Sequence, residues 1–328
     1  MRRLVVGVDL GGTNVVVGAV SEDGSGVFGL VTEPTYVAAG PDGTVAQIAR
    51  LIRQSLESTT AELGDGTFEV LGVGIGAPGP LDRRSGVLHL TPNLGWVNMP
   101  LRDRVSQAVG LPATLDNDAN CAVLGEWWRG AAQGGRIVVG LTIGTGIGGG
   151  IVLDGKIFHG ASDVAGEIGH ASINHTGRRC KCGNYGCLEA YASGPAIATR
   201  AVEGIQAGAQ SRLPEYVGGD LSMITAQTVS EAAQDGDAFC LDVIRETAHF
   251  LGGAIAGLLN IFNPDVVVIC GGVTLAGAHL FDTLQEQVVR RAFKPAVAAC
   301  RIVPGVLRGT AGVYGAVAAF LAQRESAS

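Results

Sequence analysis

Two segments of the chain, one at the N-terminus and one near the middle, share the same order of apolar and polar positions. They read LVVGVDLGGTNVVVGAVSEDG (4–24) and IVVGLTIGTGIGGGIVLDG (137–155). Each begins with a β-branched run typical of a buried strand, passes through a glycine-rich turn and returns as a second apolar strand. Asp9 of the first segment corresponds to Thr142 of the second. This duplication predicts two related lobes, each with a hairpin loop that faces a cleft.

The glycine-rich turns have a composition suited to binding anions. Glycine allows backbone N–H groups to come close to an oxyanion, and successive amides form a concave anion site. Neither turn has the G-x-x-x-x-G-K-[ST] pattern of a P-loop, and no helix clearly opens after either, which argues against a Rossmann dinucleotide site. For each loop, an ordinary hairpin without a ligand stays open as the alternative.

The rest of the chain alternates between strand and helix patterns. Further strands are predicted near 69–75, 112–116, 265–270 and 300–303. Helical periodicity predicts helices over about 44–63, 100–109, 118–132, 194–208, 228–260, 275–292 and 309–323. The alternation favours an α/β fold with a mixed or parallel sheet, and the last helix could return to the first lobe.

Composition and charge narrow the class of protein. The chain has 328 residues, of which 47% are hydrophobic and 16% charged, so it can bury a large core. Its net charge of −7 argues against a nucleic-acid partner. The N-terminus lacks the apolar region of a signal peptide, and polar residues interrupt the apolar stretch at 252–272, which argues against a membrane partner. We therefore expect a cytoplasmic protein.

Polar residues that could carry chemistry lie at the ends of predicted strands. In LPATLDNDANCAVLGEWW a strand leads into Asp116, Asn117 and Asp118 and then a helix. Asp is a favoured helix N-cap, so a structural role and a role as general base are equally compatible with this pattern. Glu167 and His170 are three residues apart and would share one face of a helical turn.

Three of the seven cysteines, Cys180, Cys182 and Cys187, lie within eight positions. A disulfide would leave one thiol over, and the C-x-x-C redox spacing is absent. With His170 these thiols make a set of four soft ligands that suits tetrahedral zinc and leaves no open position, so the metal would be structural. His175 is the alternative fourth ligand. The other cysteines are expected to be small buried apolar residues.

The pattern H-x9-C-x-C-x4-C followed by Leu-Glu, as HASINHTGRRCKCGNYGCLE, resembles the signature of the ROK family of sugar kinases and repressors. DLGGTN, the APGP loop, the NLGW loop, DNDANCAVLGE and IGTGIGGGI resemble the family in order and spacing, so the likeness covers essentially the whole chain. Among its members the bacterial ATP-dependent glucokinases are the most similar. The resemblance implies the actin-like ATPase (ribonuclease H-like) fold and a homodimer or homotetramer. The lobes are expected at 1–119 plus 307–328 and at 120–306.

The resemblance also implies roles for residues at matching positions. Asp118 would be the general base that takes the proton of the sugar 6-hydroxyl. His170 would place one ring nitrogen on zinc and turn the other to the sugar. The residues expected to bind the sugar are Gly79, Asn93, Asn117, Asp118, Glu167, His170 and Glu189.

The implied cofactors are ATP, Mg²⁺ and structural Zn²⁺. Asp9 would anchor the hydration shell of Mg²⁺, which usually keeps several waters. Gly271 and Gly272 would border the adenosine. The residues expected to hold the phosphates are Gly11, Gly12, Thr13, Asn14, Thr145 and Gly146.

The leading interpretation is ATP-dependent phosphorylation of glucose to glucose 6-phosphate. A kinase for another hexose or an N-acylhexosamine is the nearer alternative, because small shifts of a loop can decide which orientation of one sugar hydroxyl is recognised. A sugar-responsive repressor would need a DNA-binding domain before the first lobe, and the first predicted strand starts at about Leu4. An actin-like structural ATPase would not need the cysteine cluster, and relatives that use polyphosphate typically lack it.

Overall fold

The computed structural model describes residues 1–91 and 94–327. The chain divides into two compact units. Unit 1 comprises Met1–Gly134, Gly150–Gly166 and Val306–Ser328, and unit 2 comprises Gly135–Gly149 and Glu167–Gly305. Within the described residues, every helix falls short of the length or the apolar character that a transmembrane span needs.

The strands are defined by the following bounds: β1 (Arg2–Leu10), β2 (Asn14–Ser21), β3 (Val27–Pro34), β4 (Phe68–Ala77), β5 (Leu81–Asp82), β6 (Val87–Thr91), β7 (Trp96–Met99), β8 (Ala113–Asn117), β9 (Ile137–Ile143), β10 (Ile147–Leu153), β11 (Lys156–Ile157), β12 (Val266–Cys270) and β13 (Arg301–Pro304). The α-helices are α1 (Gly40–Leu63), α2 (Leu101–Val109), α3 (Asp118–Arg129), α4 (Glu189–Ala192), α5 (Gly194–Gln206), α6 (Leu213–Tyr216), α7 (Ala226–Gln234), α8 (Ala238–Phe262), α9 (Ala278–Arg291), α10 (Lys294–Ala299) and α11 (Ala311–Ala327).

The main sheet of unit 1 has the order β3-β2-β1-β4-β8. Strand β1 is central, antiparallel to β2 and parallel to β4. Both faces of β1 are buried, which explains its continuous apolar run. Val6 and Val8 belong to a core with α1 and α2, whereas Val5 belongs to a second core with α11. The last helix therefore packs in the first unit, as predicted.

The second five-stranded sheet has the order β11-β10-β9-β12-β13. Strand β12 is parallel to both β9 and β13, and β10 is antiparallel to β11. This is the strand order of the first sheet repeated. Asp9 and Thr142 are each the penultimate residue of the corresponding strand, β1 and β9. The two sheets thus carry the repeat that the apolar pattern predicts.

Helix α3 belongs to unit 1, because it packs along α11 and because Glu126 accepts the N–H of Leu307 (2.8 Å). Unit 1 therefore extends beyond the predicted first lobe, 1–119 plus 307–328, and unit 2 is smaller than the predicted second lobe, 120–306. Both α3 and residues 150–166 belong to unit 1.

One helix prediction is wrong. The apolar periodicity of 228–260 suggested a single helix, whereas the chain forms α7 and α8. The break occurs at Gly236, whose φ is 85°, and Asp237 then caps α8 by accepting the N–H of Cys240 (2.9 Å). Strand β3, the small sheet β5-β6-β7 and the short elements α4, α6, α10 and β11 were not predicted.

Candidate functional site

The hairpin between β1 and β2 carries the first glycine-rich loop. The N–H of Gly11 donates to the carbonyl of Asn14 (2.9 Å) and closes the loop. Thr35 donates its hydroxyl to the Gly11 carbonyl (2.7 Å) and its N–H to the Thr13 carbonyl (2.8 Å). Gly12, Thr13 and Asn14 are exposed. The loop is therefore braced from one side, and its exposed backbone can receive an anion.

Asp9, at the end of β1, is recessed and lies near Asp118 at the start of α3. Burial, and to a smaller extent the negative charge of Asp118, raises the pKa of Asp9 to about 7. Two neighbouring carboxylates in a recess offer the hard oxygen ligands and the negative potential that suit Mg²⁺. The residues present therefore fit a magnesium ion.

The turn between β8 and α3 combines a helix cap with two predicted site residues. Asn117 is the N-cap: its side-chain oxygen accepts the N–H groups of Ala119 (2.9 Å) and Asn120 (3.1 Å). Asp118 occupies the first helical position, and its Oδ1 accepts the N–H of Ala119 (2.8 Å). Capping thus uses the oxygen of Asn117, so its amide nitrogen is the group it can offer to a sugar hydroxyl.

A buried network next to this turn was not anticipated from the sequence. Asp116 is only 3% exposed, and its Oδ1 accepts the N–H of Asn117 (2.8 Å). Its Oδ2 lies 2.8 Å from Nε2 of His159 and 3.4 Å from Nε of Arg83. Asp163 in turn accepts the N–H of Arg83 (3.2 Å). The network ties the Asn117–Asp118 turn to two loops of the same unit.

Gly79 and Asn93 are two further residues predicted to bind the sugar. Gly79 lies in the turn after β4 with a φ of 92°, a conformation that glycine adopts without strain. Asn93 lies outside the described residues.

The second glycine-rich loop connects β9 and β10 in unit 2. The N–H of Gly144 donates to the carbonyl of Gly146 (2.9 Å) and closes the loop around Thr145. Cys270 pairs with Thr142, so Gly271 and Gly272 follow β12 at the same sheet edge as this loop. The residues predicted for the second phosphate contact and for the adenosine therefore lie at one edge.

Glu167 is the N-cap of a single 3-10 turn, Ile168–His170, and His170 is its last residue. The His170 N–H donates to the Glu167 carbonyl (3.1 Å). Glu189 is the first residue of α4 and follows Cys187 by two positions. Its Oε2 accepts the N–H of Ile147 (2.9 Å), and its Oε1 lies 3.6 Å from Sγ of Cys180. The structure therefore places Glu189 beside both the cysteine cluster and the second loop.

His170, Cys180, Cys182 and Cys187 present four ligand atoms that all lie within 4.8 Å of one another. Sγ of Cys182 is 3.7 Å from Sγ of Cys187, and Sγ of Cys180 is 3.8 Å from Nδ1 of His170. Tetrahedral zinc with Zn–S bonds of about 2.3 Å separates its sulfurs by about 3.8 Å. The cluster thus fits zinc, and Nδ1 is the nitrogen of His170 that would bind it, which leaves Nε2 for another partner.

The electrostatics of the cluster also fit a cation. Burial raises the pKa of Cys180 to about 12 and raises that of Cys187, whereas a backbone N–H of Asn184 lowers the pKa of Cys182. Buried thiolates are therefore costly without a positive charge, which zinc would supply.

The predicted residues fall into two groups, each within one unit. Unit 1 holds Asp9, Gly11, Gly12, Thr13, Asn14, Gly79, Asn117 and Asp118. Unit 2 holds Thr145, Gly146, Glu167, His170, Cys180, Cys182, Cys187, Glu189, Gly271 and Gly272.

Sequence comparison connects this arrangement to known proteins. The model of the ROK family matches residues 5–324. The glucokinase of Thermotoga maritima is 40% identical over 313 residues, which cover 95% of each chain. A xylose repressor of Caldicellulosiruptor bescii is 33% identical over 96% of this chain and 77% of the repressor.

Structural comparison gives the same relationship. A ROK family glucokinase from Streptomyces griseus, solved in complex with glucose and AMPPNP, superposes with a TM-score of 0.82 at 34% identity. The match covers 96% of this chain and 98% of that one. The predicted actin-like ATPase fold is thereby confirmed.

Proposed function

This chain belongs to the ROK family, and on that premise we propose that it is an ATP-dependent kinase that phosphorylates glucose at its 6-hydroxyl. The observation that carries the proposal is that Asp118 lies near the recessed Asp9, which ends the strand that leads into an exposed glycine loop. A general base, an anchor for Mg²⁺ and a phosphate cradle are the parts that phosphoryl transfer to an alcohol requires. The similarity to glucokinases over 95% of the chain supports the choice of sugar.

Asp118 is the proposed general base. Its carboxylate takes the proton of the 6-hydroxyl as that oxygen forms a bond to the γ-phosphorus of ATP. The bond between the γ-phosphorus and the β,γ-bridging oxygen breaks, and ADP leaves. Asp118 lies in the first turn of α3, and a helix N-terminus stabilises a negative charge of the kind that a general base carries.

The two glycine loops would hold the phosphates. Gly12, Thr13 and Asn14 offer exposed backbone in unit 1, and the partly buried Gly11 closes their loop. Thr145 with Gly146 offers a second cradle in unit 2. Asp9 would anchor Mg²⁺, which when bound supplies charge neutralisation for the transferred phosphoryl group. Gly271 and Gly272 would border the adenosine.

Sugar recognition would come from carboxylates, amides and an imidazole. Asn117 would offer its amide nitrogen. Glu167 and Glu189 would offer carboxylate acceptors, and His170 a ring nitrogen, to hydroxyls near the anomeric end. Gly79 and Asn93 would complete the pocket. Zinc held by His170, Cys180, Cys182 and Cys187 would be structural, since four protein ligands leave no open position. It would hold the segment that presents His170 and Glu189.

The test is the identity of the product. The purified protein is incubated with glucose and Mg-ATP, and the products are analysed by two-dimensional ¹H–³¹P NMR. We expect ADP and glucose 6-phosphate in equal amounts. Phosphate attached to another hydroxyl would overturn the assignment of the acceptor, and hydrolysis of ATP without a sugar phosphate would overturn kinase activity.

A sugar-responsive regulator is the second candidate, because the xylose repressor aligns with 96% of this chain. A regulator would bind a sugar without turning it over, so binding measured beside turnover separates the two functions. We also propose a homodimer or homotetramer, which light scattering of the purified protein tests.

A further inference from the structure

Two segments of the proposed sugar site contact the end of the second glycine loop. The residue at this point is Ile147, the first residue of β10. Its N–H donates to Oε2 of Glu189 (2.9 Å), and its carbonyl lies against Gly169, between Glu167 and His170. A Cβ at Gly169 would overlap that carbonyl oxygen. Both backbone groups of one residue thus face sugar-site segments of unit 2.

Gly146 lies directly against the carboxylate of Glu189. A Cβ at position 146 would be 2.5 Å from Oε2 of Glu189, well inside normal contact distance. By contrast, a Cβ at Gly144 in the same loop would have no neighbour within 4 Å. A side chain at position 146 would therefore push the carboxylate of Glu189 away from its present place, whereas one at position 144 would not.

The hydrogen bond from Ile147 to Glu189 positions the loop without adding a phosphate ligand. The bond occupies the Ile147 N–H, so this amide is not offered to an anion. A second backbone bond, from the Gly194 N–H to the Gly144 carbonyl (2.9 Å), holds the start of the loop against the same stretch of chain, Glu189–Gly194. The loop is thus anchored at both ends to the segment that begins with Glu189.

We propose that Glu189 is a positioning residue for the second phosphate loop, so that one carboxylate serves both the sugar site and the nucleotide site. This inference rests on the proposed function for the identity of the two ligands. A sugar bound to Glu189 would fix the carboxylate, and through Ile147 it would fix the loop that holds the phosphates. Sugar and nucleotide would therefore strengthen each other's binding, in the reciprocal manner that linkage requires.

The first arm of the test measures nucleotide binding in the absence of sugar. Isothermal titration calorimetry with Mg-AMPPNP compares the wild type with Glu189→Ala and Glu189→Gln. Because a hydrogen bond to a charged group is lost, we expect Glu189→Ala to bind the nucleotide about 10- to 100-fold more weakly. Glu189→Gln keeps an acceptor oxygen for Ile147 and should stay within about threefold of the wild type. Glu231→Ala, which removes an exposed carboxylate bonded to Gln227, is the matched control.

The second arm measures glucose binding in the absence of nucleotide. Gly146→Ala displaces Glu189 and should weaken glucose binding at least about fivefold, whereas Gly144→Ala should leave the affinity for glucose unchanged. A glycine that served only the phosphates would not alter the binding of a sugar. Zinc content is measured for every variant, because Glu189 also lies close to Cys180.

Losses in both arms with full zinc content support the inference. Normal nucleotide binding by Glu189→Ala, normal glucose binding by Gly146→Ala, or a loss that appears only together with loss of zinc would overturn it. Failure of the proposed function is a separate result: the wild type would not phosphorylate glucose, while the nucleotide arm would still report on the loop.

Discussion

The partly exposed His159 pairs with the buried Asp116 in unit 1, with Nε2 of His159 2.8 Å from Oδ2 of Asp116. The same carboxylate accepts the N–H of Asn117, the residue that precedes the proposed base, Asp118. The pair therefore connects the loop around residue 159 to the start of α3, where proton transfer is proposed to take place. Its role would be to hold the turn, since neither residue needs to touch the sugar.

We expect Asp116→Asn to destabilise the protein and to slow turnover. The amide cannot accept from all the donors that surround it, and an unsatisfied buried group costs about 1–3 kcal/mol. Urea unfolding should show a loss of this size, and kcat should fall more than KM for glucose rises. Asp103→Asn, which removes an exposed carboxylate paired with Arg102, should change stability by less than about 1 kcal/mol. Equal stabilities of the two variants would contradict a role for the buried network.

Asp118→Asn should remove proton transfer while keeping the fold. The amide oxygen can still accept the N–H of Ala119, so the start of α3 is preserved. We expect kcat to fall by about 10²–10⁴, the range for loss of a general base, with little change in glucose affinity. Steady-state kinetics and calorimetry measure the two quantities. Turnover close to that of the wild type would exclude Asp118 as the base.

Cys182→Ser should lower zinc content, thermal stability and activity together. Mutation of a residue that only contacts a metal ligand lowers metal affinity about 10- to 100-fold, and loss of a ligand itself should lower zinc affinity by more than this. Metal analysis and thermal unfolding check this, and Cys300→Ser, outside the cluster, should retain zinc and stability. A metal-free protein with the stability and sugar affinity of the wild type would contradict a structural role for zinc.

Asp9 should make the stability of the ligand-free protein depend on pH. Its pKa is about 7 in the folded protein against an ordinary value of 3.8, so the folded state binds more protons between these values. Stability therefore falls as pH rises from about 4 to about 7.

Asp9→Asn removes this buried charge and should raise the stability at pH 8 by up to about 4 kcal/mol. At pH 5 the difference should shrink to less than half of this, because Asp9 is protonated in the folded protein but already largely ionised in the unfolded chain. Thermal unfolding without Mg²⁺ or nucleotide measures both, and turnover should be lost. A variant less stable than the wild type at pH 8 would show that the carboxylate is stabilised rather than strained.

The features predictable from the sequence are those encoded locally. The paired glycine hairpins follow from apolar runs of strand length, and they place Asp9 and Thr142 at equivalent positions of two sheets. The four ligands of the cysteine cluster lie in one short stretch of chain, so their spacing in the sequence is enough to predict that their ligand atoms come together.

The features that escaped prediction depend on contacts between distant residues. His159 meets Asp116 across 43 positions, and Glu189 meets Ile147 across 42, with no local pattern to link either pair. The break between α7 and α8 had a local signal, Gly236 followed by Asp237, but the apolar periodicity on either side obscured it.

The central claim is tested most directly by coupled measurement of ADP release with Mg-ATP across glucose, mannose, fructose, allose, N-acetylglucosamine and N-acetylmannosamine. We predict the highest kcat/KM for glucose, and loss of that activity in Asp118→Asn. Turnover of a different sugar alone would contradict the assigned substrate, and no turnover with any of the six would contradict the assignment of this protein as a hexose kinase.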